Sequence, residues 1–103
     1  MKKSIYPVVG SLIMMLVVTN VNAGDAEAGE SVYSSMGCVA CHGQGGNSMV
    51  PSFPTLAGLE ADFIISQLKG FRSGEVAGTT MPAMAASLTD EQIENLAAYL
   101  SAQ

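Results

Sequence analysis

The 103-residue chain carries four lysine and arginine residues against nine aspartates and glutamates, a formal net charge of −5, with two cysteines, one histidine and no tryptophan. That acidic balance argues against nucleic acid as a partner, because binding a phosphate backbone draws on clustered cationic side chains. Two cysteines and one histidine also fall one donor short of a tetrahedral zinc site built from those residue types.

The first element is a targeting segment. Lys2 and Lys3 form a positive n-region, Ile5 to Val18 an apolar h-region, and Val21-Asn22-Ala23 leads to a cleavage point before Gly24. An uncleaved membrane anchor is the alternative, but Pro7, Asn20 and Asn22 leave the apolar run short of the roughly 18 to 20 residues that span a bilayer. Residues 1–23 are therefore expected to be a signal peptide and residues 24–103 one exported domain with no membrane span. From Gly24 onward two cationic side chains, Lys69 and Arg72, face nine carboxylates, a net charge of −7. A domain this small has a marginal hydrophobic core and needs a staple.

The first helix is predicted from about Asp25, a good N-cap, to about Met36, with Ala28, Gly29, Val32, Tyr33 and Met36 at helical spacing and Gly37 ending it. Directly after it stands Cys38-Val39-Ala40-Cys41-His42. C-x-x-C-H is the spacing at which haem is attached covalently, each thiol forming a thioether and the adjacent imidazole coming to lie under the iron. A thiol–disulfide motif usually sits in a strand-rich α/β domain, and no alternating strand pattern occurs here. A structural disulfide would close a loop too short to restrain much of the unfolded chain. Covalent haem c, one per chain, is the reading that also supplies the missing staple.

From Gly43 to Gly58 a run of Gly, Pro, Asn and Ser predicts irregular chain that can lie close to a cofactor; Asn47 and Ser48 read as turn residues. A second helix is predicted from about Glu60 to Ser73, with Phe63, Ile64, Gln67, Leu68 and Phe71 on one face and Gly74 terminating it. Gln67 and Phe71 are expected to line the haem pocket. Lys69 and Arg72 on this helix either neutralise a haem propionate or form a solvated face answering Glu75. Gly78, Thr79 and Thr80 then give slack before Met81, and Pro82 biases Met81 towards an extended strap. The last helix opens at Thr89-Asp90-Glu91-Gln92, a capping box, with Leu88 and Ile93 as hydrophobic staple and Ile93, Leu96, Ala97 and Leu100 as apolar stripe. The fold class is all-α, three main helices packed around one covalently bound haem.

A sixth iron ligand is sought among Met36, Met49, Met81 and Met84. Met36 and Met49 lie in segments attached to the histidine side, which leaves Met81 and Met84.

From about Asp25 to Ala102 the chain resembles a class I cytochrome c, most of all the haem domains of bacterial two-haem cytochromes c and their single-haem relatives. The residues that carry the resemblance are Gly29 and Tyr33 on the first helix with Leu96 and Tyr99 on the last, the motif Cys38, Cys41 and His42, and Pro54-Thr55-Leu56-Ala57-Gly58-Leu59. The resemblance implies that the first and last helices cross closely, and that the carbonyl of Pro54 accepts a hydrogen bond from the axial His42, with Pro51 as the fallback. It also implies that the sixth ligand sits at Met81, by its offset from the last helix, which makes Met84 a packing residue.

The function this implies is a soluble periplasmic one-electron carrier with His/Met ligation, exchanging electrons with redox protein donors and acceptors and not an enzyme by itself. A permanent cytochrome subunit of a periplasmic oxidoreductase is the first alternative. A gas-binding haem protein is the second, should neither Met81 nor Met84 ligate. Since the mature chain lacks a lysine ring, docking is expected through an acidic surface or an apolar patch around Met49, Val50, Pro51 and Met84.

Overall fold

A computed structural model describes residues 24–103, and the expected signal peptide lies outside them. Five α-helices follow in order: α1 (Ala26–Ser35), α2 (Cys38–His42), α3 (Ala61–Ser73), α4 (Met81–Ala85) and α5 (Asp90–Ser101). One 3₁₀ turn, Gln44–Gly46, follows α2, and no strand occurs among the described residues. The three expected helices are α1, α3 and α5. No helix among the described residues is long and apolar enough to cross a membrane.

The ends of the long helices follow from local chemistry. Asp25 caps α1 by accepting at its carboxylate from the N–H groups of Glu27 (2.9 Å) and Ala28 (3.2 Å), two donors that the helix itself leaves unpaired. At α5 the capping box is complete: Thr89 Oγ1 accepts from Gln92 N (3.1 Å) and Gln92 Oε1 accepts from Thr89 N (3.0 Å).

The crossing of α1 and α5 fixes the domain. A Cβ added to Gly29 would lie 1.9 Å from the carbonyl oxygen of Asn95, so only a residue without a side chain lets the two backbones meet there. One turn further on, the rings of Tyr33 and Tyr99 pack with centroids 5.5 Å apart at 47°, a tilted arrangement favoured by aromatic quadrupoles. Asn95 adds a bond that local sequence does not announce, its Oδ1 accepting from Asp25 N at 2.8 Å. The buried apolar core is small: Tyr33, Ile64, Ala85, Leu88, Ile93, Leu96, Ala97 and Leu100. Half of it is the expected stripe of α5.

The segment before α5 differs from expectation. Met81 is the first residue of α4 and not part of an extended strap, and Pro82 stands within the first helical turn. The N–H groups of a first turn have no intrahelical acceptor, so proline's missing donor costs nothing there, and its fixed φ suits the helix. Two short helices, α2 and α4, thus carry the candidate site residues Cys38, Cys41, His42 and Met81.

Candidate functional site

Between α1, α3, α4 and α5 lies a cavity of about 470 Å³. Its wall takes Tyr33 and Met36 from α1 and its cap, Cys38, Cys41 and His42 from α2, and Met81 and Met84 from α4. The face of α3 formed by Phe63, Ile64, Gln67, Leu68 and Phe71 lines it as well, as does Phe53. No Asp, Glu, Lys or Arg reaches this wall. An α-helical turn explains the grouping in α2: residues three and four apart share a face, so both sulfurs and the imidazole point the same way.

His42 is the one buried charged or polar residue of the described chain, 6% exposed. Its Nδ1 lies 2.8 Å from the carbonyl oxygen of Pro54. A carbonyl can only accept, so Nδ1 carries the proton and Nε2 keeps its lone pair for another partner. Phe53 stands edge-on to the imidazole, with ring centroids 6.2 Å apart. Phe53 had no sequence signal, because loop residues carry no periodicity that would assign them a face.

No disulfide joins Cys38 and Cys41. Burial pushes the Cys38 thiol above its ordinary value, and the charge of a Cys41 thiolate would push it further. A redox-active C-x-x-C pair depends on the opposite shift, a thiolate stabilised near neutral pH. Cys38, the first thiol of the motif, therefore lacks the stabilised thiolate of a disulfide exchanger.

Three methionines reach the cavity wall, Met36, Met81 and Met84, whereas Met49 is 93% exposed and does not line it. Met81 and Met84 lie three residues apart on α4, which keeps them on one side of that helix. Met81 is half-buried; Met84 is 37% exposed. The strap leading to Met81 runs close over α3, since a Cβ on Gly78 would stand 3.3 Å from the Phe71 ring and 3.2 Å from Pro82.

Arg72 forms its ion pair with Asp90 and not with Glu75. It donates from Nη2 to Asp90 Oδ1 at 2.6 Å and from Nη1 to the Leu88 carbonyl at 3.0 Å, so it faces the start of α5 and stays off the cavity wall. The planar fork of guanidinium donors lets one side chain serve both acceptors. Lys69 likewise stays off the cavity wall. Asn47 and Ser48 shape the turn as expected, Ser48 Oγ donating to the Val50 carbonyl at 2.9 Å.

The Arg72 hydrogen bond, then its charge and that of Lys69, hold the Asp90 carboxyl below its ordinary value. A carboxylate with a lower pKa folded than unfolded adds stability that is complete above the unfolded value and disappears as the pH falls through the folded one. Urea midpoints followed down through the acid carboxylate range are expected to show this loss in the wild type. Asp90→Asn removes that component and leaves a flatter acid limb. The effect is small because the pair is largely exposed.

An apolar cavity edged by two thiols on one helix face, a buried imidazole with a free Nε2 and thioether sulfurs on separate elements is the donor set for an iron porphyrin held by thioethers. The comparisons with known proteins agree. Residues 24–100 match the family model described as cytochrome c oxidase, cbb3-type, subunit III. The chain is 43% identical over 84 residues to cytochrome c-554(548) of Halomonas halodenitrificans, a match covering 79% of this chain and 99% of that protein. It is 44% identical over 80 residues to cytochrome c4 of Thiocapsa roseopersicina, covering 78% of this chain and 41% of the relative, so it spans less than half of that protein. In three dimensions it is similar to the cytochrome c4 of Acidithiobacillus ferrooxidans, with a TM-score of 0.73 at 30% identity, over 82% of this chain and 53% of that one. On this evidence the chain belongs to the class I cytochrome c family, its matched domain is of the cbb3-type subunit III kind, and its prosthetic group is haem c.

Proposed function

We propose that the chain is a periplasmic one-electron carrier in which Cys38 and Cys41 anchor the haem and His42 and Met81 hold its iron. The observation that carries this reading is the cavity wall that gathers all four side chains, with Pro54 fixing the proton of His42 at Nδ1. Bound there, the haem supplies a one-electron Fe(III)/Fe(II) couple. The protein's part is positional and electrostatic. Pro54 sets the ring orientation of His42 and raises its basicity, while Phe53, Leu68, Phe71, Leu96 and Leu100 keep the surroundings apolar. If His42 and Met81 both held the iron, no position would be left for a substrate, which favours carrying electrons over transforming a small molecule. Residues 1–23 are read as the export signal, and residues 24–103 as the haem domain.

The surface supports apolar docking. Residues 31–59 and 76–89 contain no Asp, Glu, Lys or Arg, and these two stretches supply most of the cavity rim. Met49 and Val50, both exposed, stand on the loop beside the cavity and outside its wall. Redox partners form small interfaces that must separate quickly, and an uncharged rim inside an acidic molecule provides contact without strong electrostatic retention.

Stopped-flow electron exchange with small anionic and cationic redox reagents, run at low and high salt, tests this reading. Reversible transfer of one electron per chain is expected, with no low-salt acceleration by the anionic reagent. Strong low-salt acceleration by that reagent would mean a positive rim and would refute the docking model. Uptake of a ligand in place of reversible transfer would refute the carrier reading.

A further inference from the structure

We propose that Tyr33 is a positioning residue for the His42 imidazole, acting through its hydroxyl. This rests on the reading of His42 as the axial ligand. The Tyr33 hydroxyl donates to the carbonyl oxygen of Gly43, the residue that follows His42. That carbonyl also accepts from Gly46 N at 3.2 Å, and the carbonyl of Gly46 in turn accepts from Leu56 N at 2.7 Å and Ala57 N at 3.2 Å. Two residues before Leu56 stands Pro54, whose carbonyl takes the His42 proton at 2.8 Å. The bonds close a ring that controls the imidazole from both ends, its backbone through Gly43 and its ring nitrogen through Pro54.

The loop cannot hold this shape by itself. Gly43, Gly45 and Gly46 all have positive φ, and as glycines they lose the most backbone freedom on ordering. They also have no side chains with which to anchor the turn. A Cβ at Gly43 would lie 1.9 Å from the Asn47 carbonyl oxygen and one at Gly46 2.9 Å from Ala57 N, so the loop is packed too closely to accept such side chains. The anchor must come from another element, and α1 provides it. Tyr33 is 2% exposed and its ring already packs on Tyr99. Packing alone would be served equally well by phenylalanine; the hydroxyl is what reaches Gly43. Burial raises the pKa of this phenol, which keeps it a donor through the physiological range.

The test uses the haem-loaded protein and the variants Tyr33→Phe, Tyr99→Phe and Ile93→Val. Three quantities are read: the exchange rate of the His42 Nδ1 proton in the reduced state by NMR, the midpoint potential, and the urea midpoint. In Tyr33→Phe the proton is expected to exchange severalfold faster. The potential is expected to rise, because a loosened bond to Pro54 makes the imidazole a poorer donor to Fe(III). Tyr99→Phe should change neither. Ile93→Val should lower the urea midpoint by a comparable amount and leave both other readouts in place, which separates positioning from plain stability.

Unchanged exchange and potential in Tyr33→Phe would overturn the proposal, and so would equal changes in Ile93→Val. If Tyr33→Phe gives no holoprotein, difluorotyrosine at position 33 decides the matter. Its hydroxyl ionises at lower pH and then cannot donate, so both readouts must break there, and the absence of a break refutes the proposal. In the oxidised wild type the ring protons of His42 must be strongly hyperfine-shifted. Without that shift the ligand reading itself fails, a result distinct from a failure confined to Tyr33.

Discussion

Replacing both Cys38 and Cys41 with alanine is expected to leave the chain without a cooperative fold. Eight apolar side chains are buried in the described chain, while the inner faces of α3 and α4 line a cavity of about 470 Å³. Without an occupant those apolar faces would meet water or have to collapse on one another, and a domain whose whole stability is typically about 5–15 kcal/mol has little to set against that loss. The haem is thus part of the core, and the two thioethers keep it there. Circular dichroism should show loss of helix and a broad thermal transition in the double variant, and denaturing electrophoresis should show no haem retained on the chain. A well-folded apoprotein that melts cooperatively would contradict this.

The second large effect is expected at Met81. Met81→Ala should abolish the weak sulfur-to-iron band of the oxidised protein and admit carbon monoxide to the reduced one. It should also lower the potential by on the order of 0.1 V or more, given that axial ligand identity moves haem potentials across about 0.8 V. Met84→Leu and Met36→Leu should leave the band, the potential and the carbon monoxide response nearly intact. Met84 is the sharper control, because it stands on the same side of α4 as Met81. If Met84→Leu produced the losses and Met81→Ala did not, the ligand would have to be moved one helical turn along α4.

Features set by local spacing were legible in the sequence. Asp25 and the Thr89/Gln92 box mark their helices because capping is a contact between residues two or three apart. The cofactor was legible because attachment chemistry demands one spacing of Cys38, Cys41 and His42. The stripe on α3 was read correctly as a face, and Gln67 and Phe71 on it line the cavity as expected. What escaped was long-range or context-dependent. Nothing near Asn95 announces a bond to Asp25, 70 positions away, and nothing near Arg72 announces Leu88 and Asp90. Pro82 was misread because the same residue that disfavours helix before it is well tolerated in a first turn. The hydroxyl of Tyr33 was hidden behind its ring, which helix crossing alone accounted for.

The central claim is that a covalent haem with two protein axial ligands makes this chain an electron carrier. Its most direct test is the absorption spectrum of the protein as isolated, recorded oxidised, reduced, and reduced under carbon monoxide. The account predicts a c-type spectrum that survives acid–organic extraction of free haem, a weak sulfur-to-iron band in the oxidised state, and a reduced spectrum unaltered by carbon monoxide. Extractable haem, or a reduced spectrum that shifts at once under carbon monoxide, would contradict it.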